Sequence, residues 1–113
     1  IDFAAVANAV HVSDKANDIE QNVLNKRDAL GRILIAFHFA HETGNEYLTT
    51  GDVGKITDQL GVKIAQSNVS HCIAANRKYF SATTTRRRGA KVLYKLNRQG
   101  KLAYEKCLTA QKV

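Results

Sequence analysis

The amino-acid sequence predicts a mainly α-helical chain with one small β-hairpin, an α+β class, and three observations carry that prediction. Apolar residues recur at helical spacing: Leu30, Ile33, Leu34 and Phe37 fall at i, i+3, i+4 and i+7, and Val53, Ile56 and Leu60 form a second stripe. The stretch "LTTGDV" (48–53) is a helix start. Thr49 and Asp52 make a T-x-x-D capping box, and Leu48 and Val53 sit where a hydrophobic staple is placed. Near the other end, "SATTT" and "AKVLYKL" read as two strands, the second alternating Val92, Tyr94, Leu96 with Lys91, Leu93, Lys95, and "RRRG" joins them as a hairpin tip.

Taken in order, the opening "IDFAAVANAV" is short and apolar, the mark of a docking helix or the end of a linker. The first residue, Ile1, points to a processed chain or a piece of a longer protein. Ser13 is a plausible N-cap for a polar helix through "DKANDIEQNVL", with Ile19 and Val23 on one face. A stronger helix follows from about Arg27, with His41 as a possible last member of its stripe and Gly44 as the stop. "EYL" reads as a very short strand, and the capped helix after it ends at Gly61. "VKIAQ" is a turn, a cap at Gln66 or Ser67 opens a helix through "SNVSHCIAANRKYF", and Asn97 caps a closing helix, "RQGKLAYEKCLTAQK". The expected division is a helical extension over 1–26, available for a dimer contact or a linker, and a domain over 27–113.

The 113 residues are one domain's worth of chain with an ordinary globular composition. The net charge of +7 hides an asymmetry. Residues 1–60 carry five Lys/Arg against nine Asp/Glu, whereas residues 61–113 carry twelve Lys/Arg against the single acid Glu105. A half-chain so cationic repels itself unless a polyanion arrives, so nucleic acid is the leading partner class, ahead of an anionic membrane surface. The most apolar run, "ILIAFHFA" (33–40), is far short of a membrane span, and no signal peptide is visible, so the sequence reads as a soluble, cytoplasmic protein. Cys72 and Cys107 are too few and too far apart for a disulfide framework and read as buried free thiols.

Helix, short strand, helix, turn, helix, hairpin, helix, with these caps, resembles the winged helix-turn-helix fold over roughly Arg27 to Ala110. The segment "LTTGDVGKITDQLG…QSNVSHCI" is similar to the helix-turn-helix of many bacterial transcription regulators, and "VLYKLNRQGKLAYE" to the second wing strand and last helix of that group. One departure stands out: Leu60 and Val69 are nine positions apart where the common pattern has seven, so the turn is about two residues longer. The resemblance implies that the hairpin is a wing whose tip lies along a phosphate backbone or enters a minor groove. It also implies duplex DNA as partner, commonly bound by homodimers on paired half-sites.

The residues themselves point the same way. Wound as a helix, Val69 and Ile73 face inward while Ser67, Ser70, His71, Ala74, Ala75 and Lys78 share an acid-free outward face, with Asn68 at its edge and Gln66, a further expected DNA contact, at the helix start. Small side chains such as Ala74 permit close approach to a groove wall, and the amides and hydroxyls can address base edges. Arg86, Arg87 and Arg88, with Lys91 beside them, supply planar forks and charge for phosphates.

Other chemistries find less purchase. His38 and His41 are three apart on one helix but lack a third ligand of matching spacing, so neither a metal nor another cofactor is expected. No nucleophile–base arrangement assembles from adjacent signals, and "GDVGK" lacks P-loop spacing, so no enzyme is expected. Two rivals to a DNA-binding regulator or module are a winged helix that binds protein or RNA and a metal- or redox-sensing regulator using His38, His41 or a cysteine.

Overall fold

The chain opens in a helix, α1 (Phe3–His11), started by Asp2, whose Oδ1 accepts from the Ala5 N–H at 3.1 Å. The computed structural model describes residues 1–26, 28–83 and 92–109. A short α2 (Ala16–Ile19) runs into one π-helical turn, Glu20–Leu24. Ser13 does not cap this helix as expected: its Oγ accepts from the Lys15 N–H, and the helix begins only at Ala16. The π turn and the residues after it are tied down by side-chain bonds to the backbone. Arg32 Nη2 donates to the Leu24 and Lys26 carbonyls, and Asn22 Nδ2 donates to the Leu108 carbonyl at 2.7 Å.

α3 (Ala29–Glu42) is the axis of the fold, packed by α1, the π turn and the elements that follow it. The sequence pattern predicts a one-sided stripe on this helix, but Ile35, Ala36, Phe39 and Ala40 are buried along with Ile33, Leu34 and Phe37. A helix apolar all round is a covered helix, and the cover on the second side comes from the N-terminal segment. Val6, Val10, Ile19 and Val23 join the same hydrophobic cluster, so residues 1–26 use their apolar face on this chain's own core. His41 stays exposed, and the chain leaves α3 through Gly44 at φ 91°.

Leu48 then bridges to Tyr94 through a reciprocal pair of backbone hydrogen bonds of 2.9 and 2.8 Å, which is where the expected short strand lies. α4 (Thr50–Gln59) begins on the expected capping box, complete in both directions: the Asp52 N–H donates to Thr49 Oγ1 and the Thr49 N–H donates to Asp52 Oδ2. Leu48 and Val53, the staple pair, are both fully buried. α5 (Gln66–Ala75) follows, then a 3-10 turn (Arg77–Tyr79), the antiparallel strands β1 (Phe80–Ala82) and β2 (Tyr94–Leu96), and α6 (Arg98–Leu108). The register pairs Phe80 with Leu96, Ser81 with Lys95 and Ala82 with Tyr94. The described residues are thus mainly helical with a two-stranded antiparallel sheet, an α+β layout.

The closing helix is positioned by a side-chain cap and a close approach. Asn97 Oδ1 accepts from the Gly100 N–H, Asn97 Nδ2 donates to the Lys78 carbonyl, and the Asn97 N–H donates to the Tyr79 carbonyl. Gly100 lies so close to the Tyr79 carbonyl that a Cβ there would collide with it.

Candidate nucleic-acid interface

Two hydrogen-bonded side chains, Thr57 and Gln66, tie α5 and the turn before it to α4. The Leu60–Ala65 turn leaves α4 through Gly61 at φ 79°. Thr57, with no exposed surface, donates to the Val53 and Gly54 carbonyls and accepts from the Ile64 N–H at 3.1 Å, which ties the turn to the helix it has just left. The Ile64 carbonyl passes Gly54 so closely that an added Cβ would sit 3.3 Å from it. Gln66 Nε2 donates to Thr50 Oγ1 at 3.2 Å, joining the two helix starts.

Val69 and Ile73 anchor α5 in the core, and Gln66, Ser67, Asn68, Ser70, His71, Ala74 and Ala75 are all exposed. Among the described residues, Ser67, Asn68, Ser70 and His71 make no side-chain hydrogen bond to the protein; the polar side-chain bonds at this helix belong to Gln66 and to Asn76. An exposed run of amide, hydroxyl and imidazole groups with no protein partner, and no acid among them, is free to bond outward.

Two boundaries differ from the sequence reading. The sequence places the cap at Gln66 or Ser67. The N-cap position is Ala65, which has no side chain to bond, and both Gln66 and Ser67 lie inside the helix. The helix is also expected to run on to Phe80, but it ends at Ala75. Asn76 closes it by donating from Nδ2 to the Cys72 carbonyl at 2.8 Å, and Phe80 packs on Phe37 with ring centroids 5.3 Å apart. Lys78 therefore does not share the outward face of α5. It lies in the 3-10 turn, exposed, with Nζ 5.0 Å from the Tyr79 ring centroid.

Between α5 and the hairpin lies a cleft of about 730 Å³, with Ser70 and Ala74 on one wall, Thr83 and Val92 on the other, and Arg77 at its margin. Arg77 is exposed and has no ion-pair partner among the described residues. The end of α5 at Ala75 places it in the 3-10 turn, off the helix. The last described rung of the hairpin is the Thr83 N–H donating to the Leu93 carbonyl at 2.8 Å. Arg86, Arg87, Arg88 and Lys91 lie outside the described residues.

The histidine pair of α3 is built differently. His38 stacks on Tyr104 with centroids 3.8 Å apart and planes 10° apart, and its Nε2 lies 3.1 Å from Glu42 Oε1. Burial lowers its pKa from the ordinary value, against the opposing pull of Glu42. Among the described residues no group of three His, Cys, Asp or Glu side chains is placed to hold a metal ion. Both cysteines are free thiols, Cys72 half-buried and Cys107 buried. Burial, then the nearby Asp28 carboxylate, raises both, Cys107 to about 11. Such thiols are poor nucleophiles. No helix among the described residues is long and apolar enough to cross a membrane.

No family model, curated protein or solved structure matches this chain.

Proposed function

We propose that this chain is a winged-helix module that binds duplex DNA, as a transcription regulator or as the DNA-binding part of a larger protein. The observation that carries the reading is the outward face of α5: Ser67, Asn68, Ser70 and His71 are exposed and acid-free and make no side-chain bond to the protein among the described residues. That face is beside the cleft that leads to the hairpin carrying "RRRG". Ser67, Asn68, Ser70 and His71 would address base edges from the major groove, with Ala74 allowing close approach and Gln66, bonded to Thr50, at the helix start. Arg86, Arg87, Arg88 and Lys91 would hold the backbone or the adjacent minor groove, with Arg77 and Lys78 as further cations at the margin. The Leu48–Tyr94 bridge, which joins the segment before α4 to the hairpin, supports the winged arrangement. Homodimer formation on paired half-sites and action in the cytoplasm belong to the same reading.

Salt titration of binding to arbitrary duplex DNA is the test. Each neutralised phosphate contributes about −0.9 to the slope of log affinity against log salt, so a slope of about −4 or steeper is expected. Replacing Arg86, Arg87 and Arg88 with alanine should flatten it by roughly one unit for each phosphate that is no longer neutralised. A flat salt response in the parent chain would rule out nucleic acid and leave a protein partner for the basic half.

A further inference from the structure

On a separate part of the fold, the C-terminal half of α3, the end of β2 and α6 enclose a cavity of about 290 Å³ to which α5 contributes no lining residue. Its apolar wall is Phe37, Leu96 and the ring of Tyr104, all buried, and its rim is charged. Four rim groups are bonded in two pairs within the protein: Lys95 Nζ lies 3.2 Å from Glu46 and His38 Nε2 3.1 Å from Glu42. Lys101 and Glu105, one helical turn apart on α6, have no ion-pair partner among the described residues, and Tyr104 lies between them in the chain. Tyr104 is 5% exposed as a residue, and its hydroxyl, which makes no hydrogen bond among the described residues, keeps contact with solvent. Burial, then the Glu42 and Glu105 carboxylates, raises its pKa, so the phenol keeps its proton and can donate as well as accept.

One unpaired cation, one unpaired anion, a neutral hydroxyl and an apolar floor make a complementary set. The volume lies at the lower edge of the roughly 300–1,000 Å³ of ligand pockets, which suits a small metabolite. We infer that this cavity binds a free α-amino acid with an apolar side chain, its carboxylate on Lys101, its ammonium on Glu105, its side chain against Phe37 and Leu96, and one polar group on the Tyr104 hydroxyl. Either charge alone would select a simple acid or amine; the pair one turn apart selects the zwitterion.

Calorimetric titration of the full chain with each standard L-amino acid tests this. At least one apolar amino acid binds saturably, and its analogues lacking either the carboxylate or the amino group bind at least about tenfold more weakly, about 1.4 kcal/mol. Lys101→Gln and Tyr104→Phe each weaken it by a similar factor. Both variants keep the fold, because Lys101 is exposed and Tyr104→Phe keeps the ring stacked on His38. Absence of binding by every amino acid tested overturns the inference. So does binding that either analogue matches, or that both variants leave unchanged. None of these outcomes bears on DNA binding, since both substitutions leave the face of α5 untouched.

Discussion

α4 and α5 are both ten residues long, lie next to each other and pack on the same central helix, yet they differ in how many of their polar side chains the fold takes up. At α4 Thr49 and Asp52 cap the first turn and Thr57 bonds two carbonyls behind it and the Ile64 N–H ahead, while Lys55, Asp58 and Gln59 stay exposed. In α5 no side chain caps the start, and Ser67, Asn68, Ser70 and His71 are left without protein partners among the described residues. Polar groups that hold a helix in place are consumed by the fold. Those that do not are either solvated at no benefit or kept for something that arrives. On the proposed reading, α4 supports and α5 makes the contact.

That contrast breaks most sharply at Ser70. A carboxylate in the middle of the α5 face should repel a polyanion, so Ser70→Glu is expected to lower duplex affinity by at least about a hundredfold, about 2.7 kcal/mol. Stability should stay within about 0.5 kcal/mol, because Ser70 is exposed and its side chain makes no bond among the described residues. Retained affinity in a gel shift would show that α5 does not face the DNA.

The complementary substitution is Thr57→Val, which keeps the shape and deletes the hydroxyl. The buried Ile64 N–H loses its acceptor, at a cost of about 1–3 kcal/mol in chemical denaturation. Duplex affinity should be unchanged while the chain is folded. Asn68→Ala and His71→Ala sharpen the contrast on the other side: each should weaken a preferred site by about 1–3 kcal/mol with much less effect on random DNA. Equal losses on both substrates would reassign these residues from base edges to phosphate.

The same contrast explains what was legible in the sequence. The α4 start, the Asn97 cap and the glycine exits at Gly44 and Gly61 depend on residues within a turn of one another, and each stands where the local pattern puts it. The inward–outward division of α5 is also readable, because a helix fixes the angle between Val69 and Ser70 before any packing is known. What escapes a local reading depends on distant partners. α5 stops at Ala75 because Asn76 turns back on it and Phe80 joins a strand against Phe37. α3 is covered on a second side because α1 and the π turn fold back over it, and Arg32 reaches two carbonyls across that join. The cavity at Tyr104 needs three elements from separate parts of the chain, and no spacing rule brings them together.

The most direct test of the division between support and contact is a residue-by-residue map of the amide signals as a short duplex is titrated in by NMR. Shifts are expected to concentrate on the Gln66–Ala75 helix, at Arg77 and along the hairpin, with the α3 residues buried beneath α1 unmoved. Shifts centred on α1 or on the exposed side of α6, with α5 silent, would contradict that division.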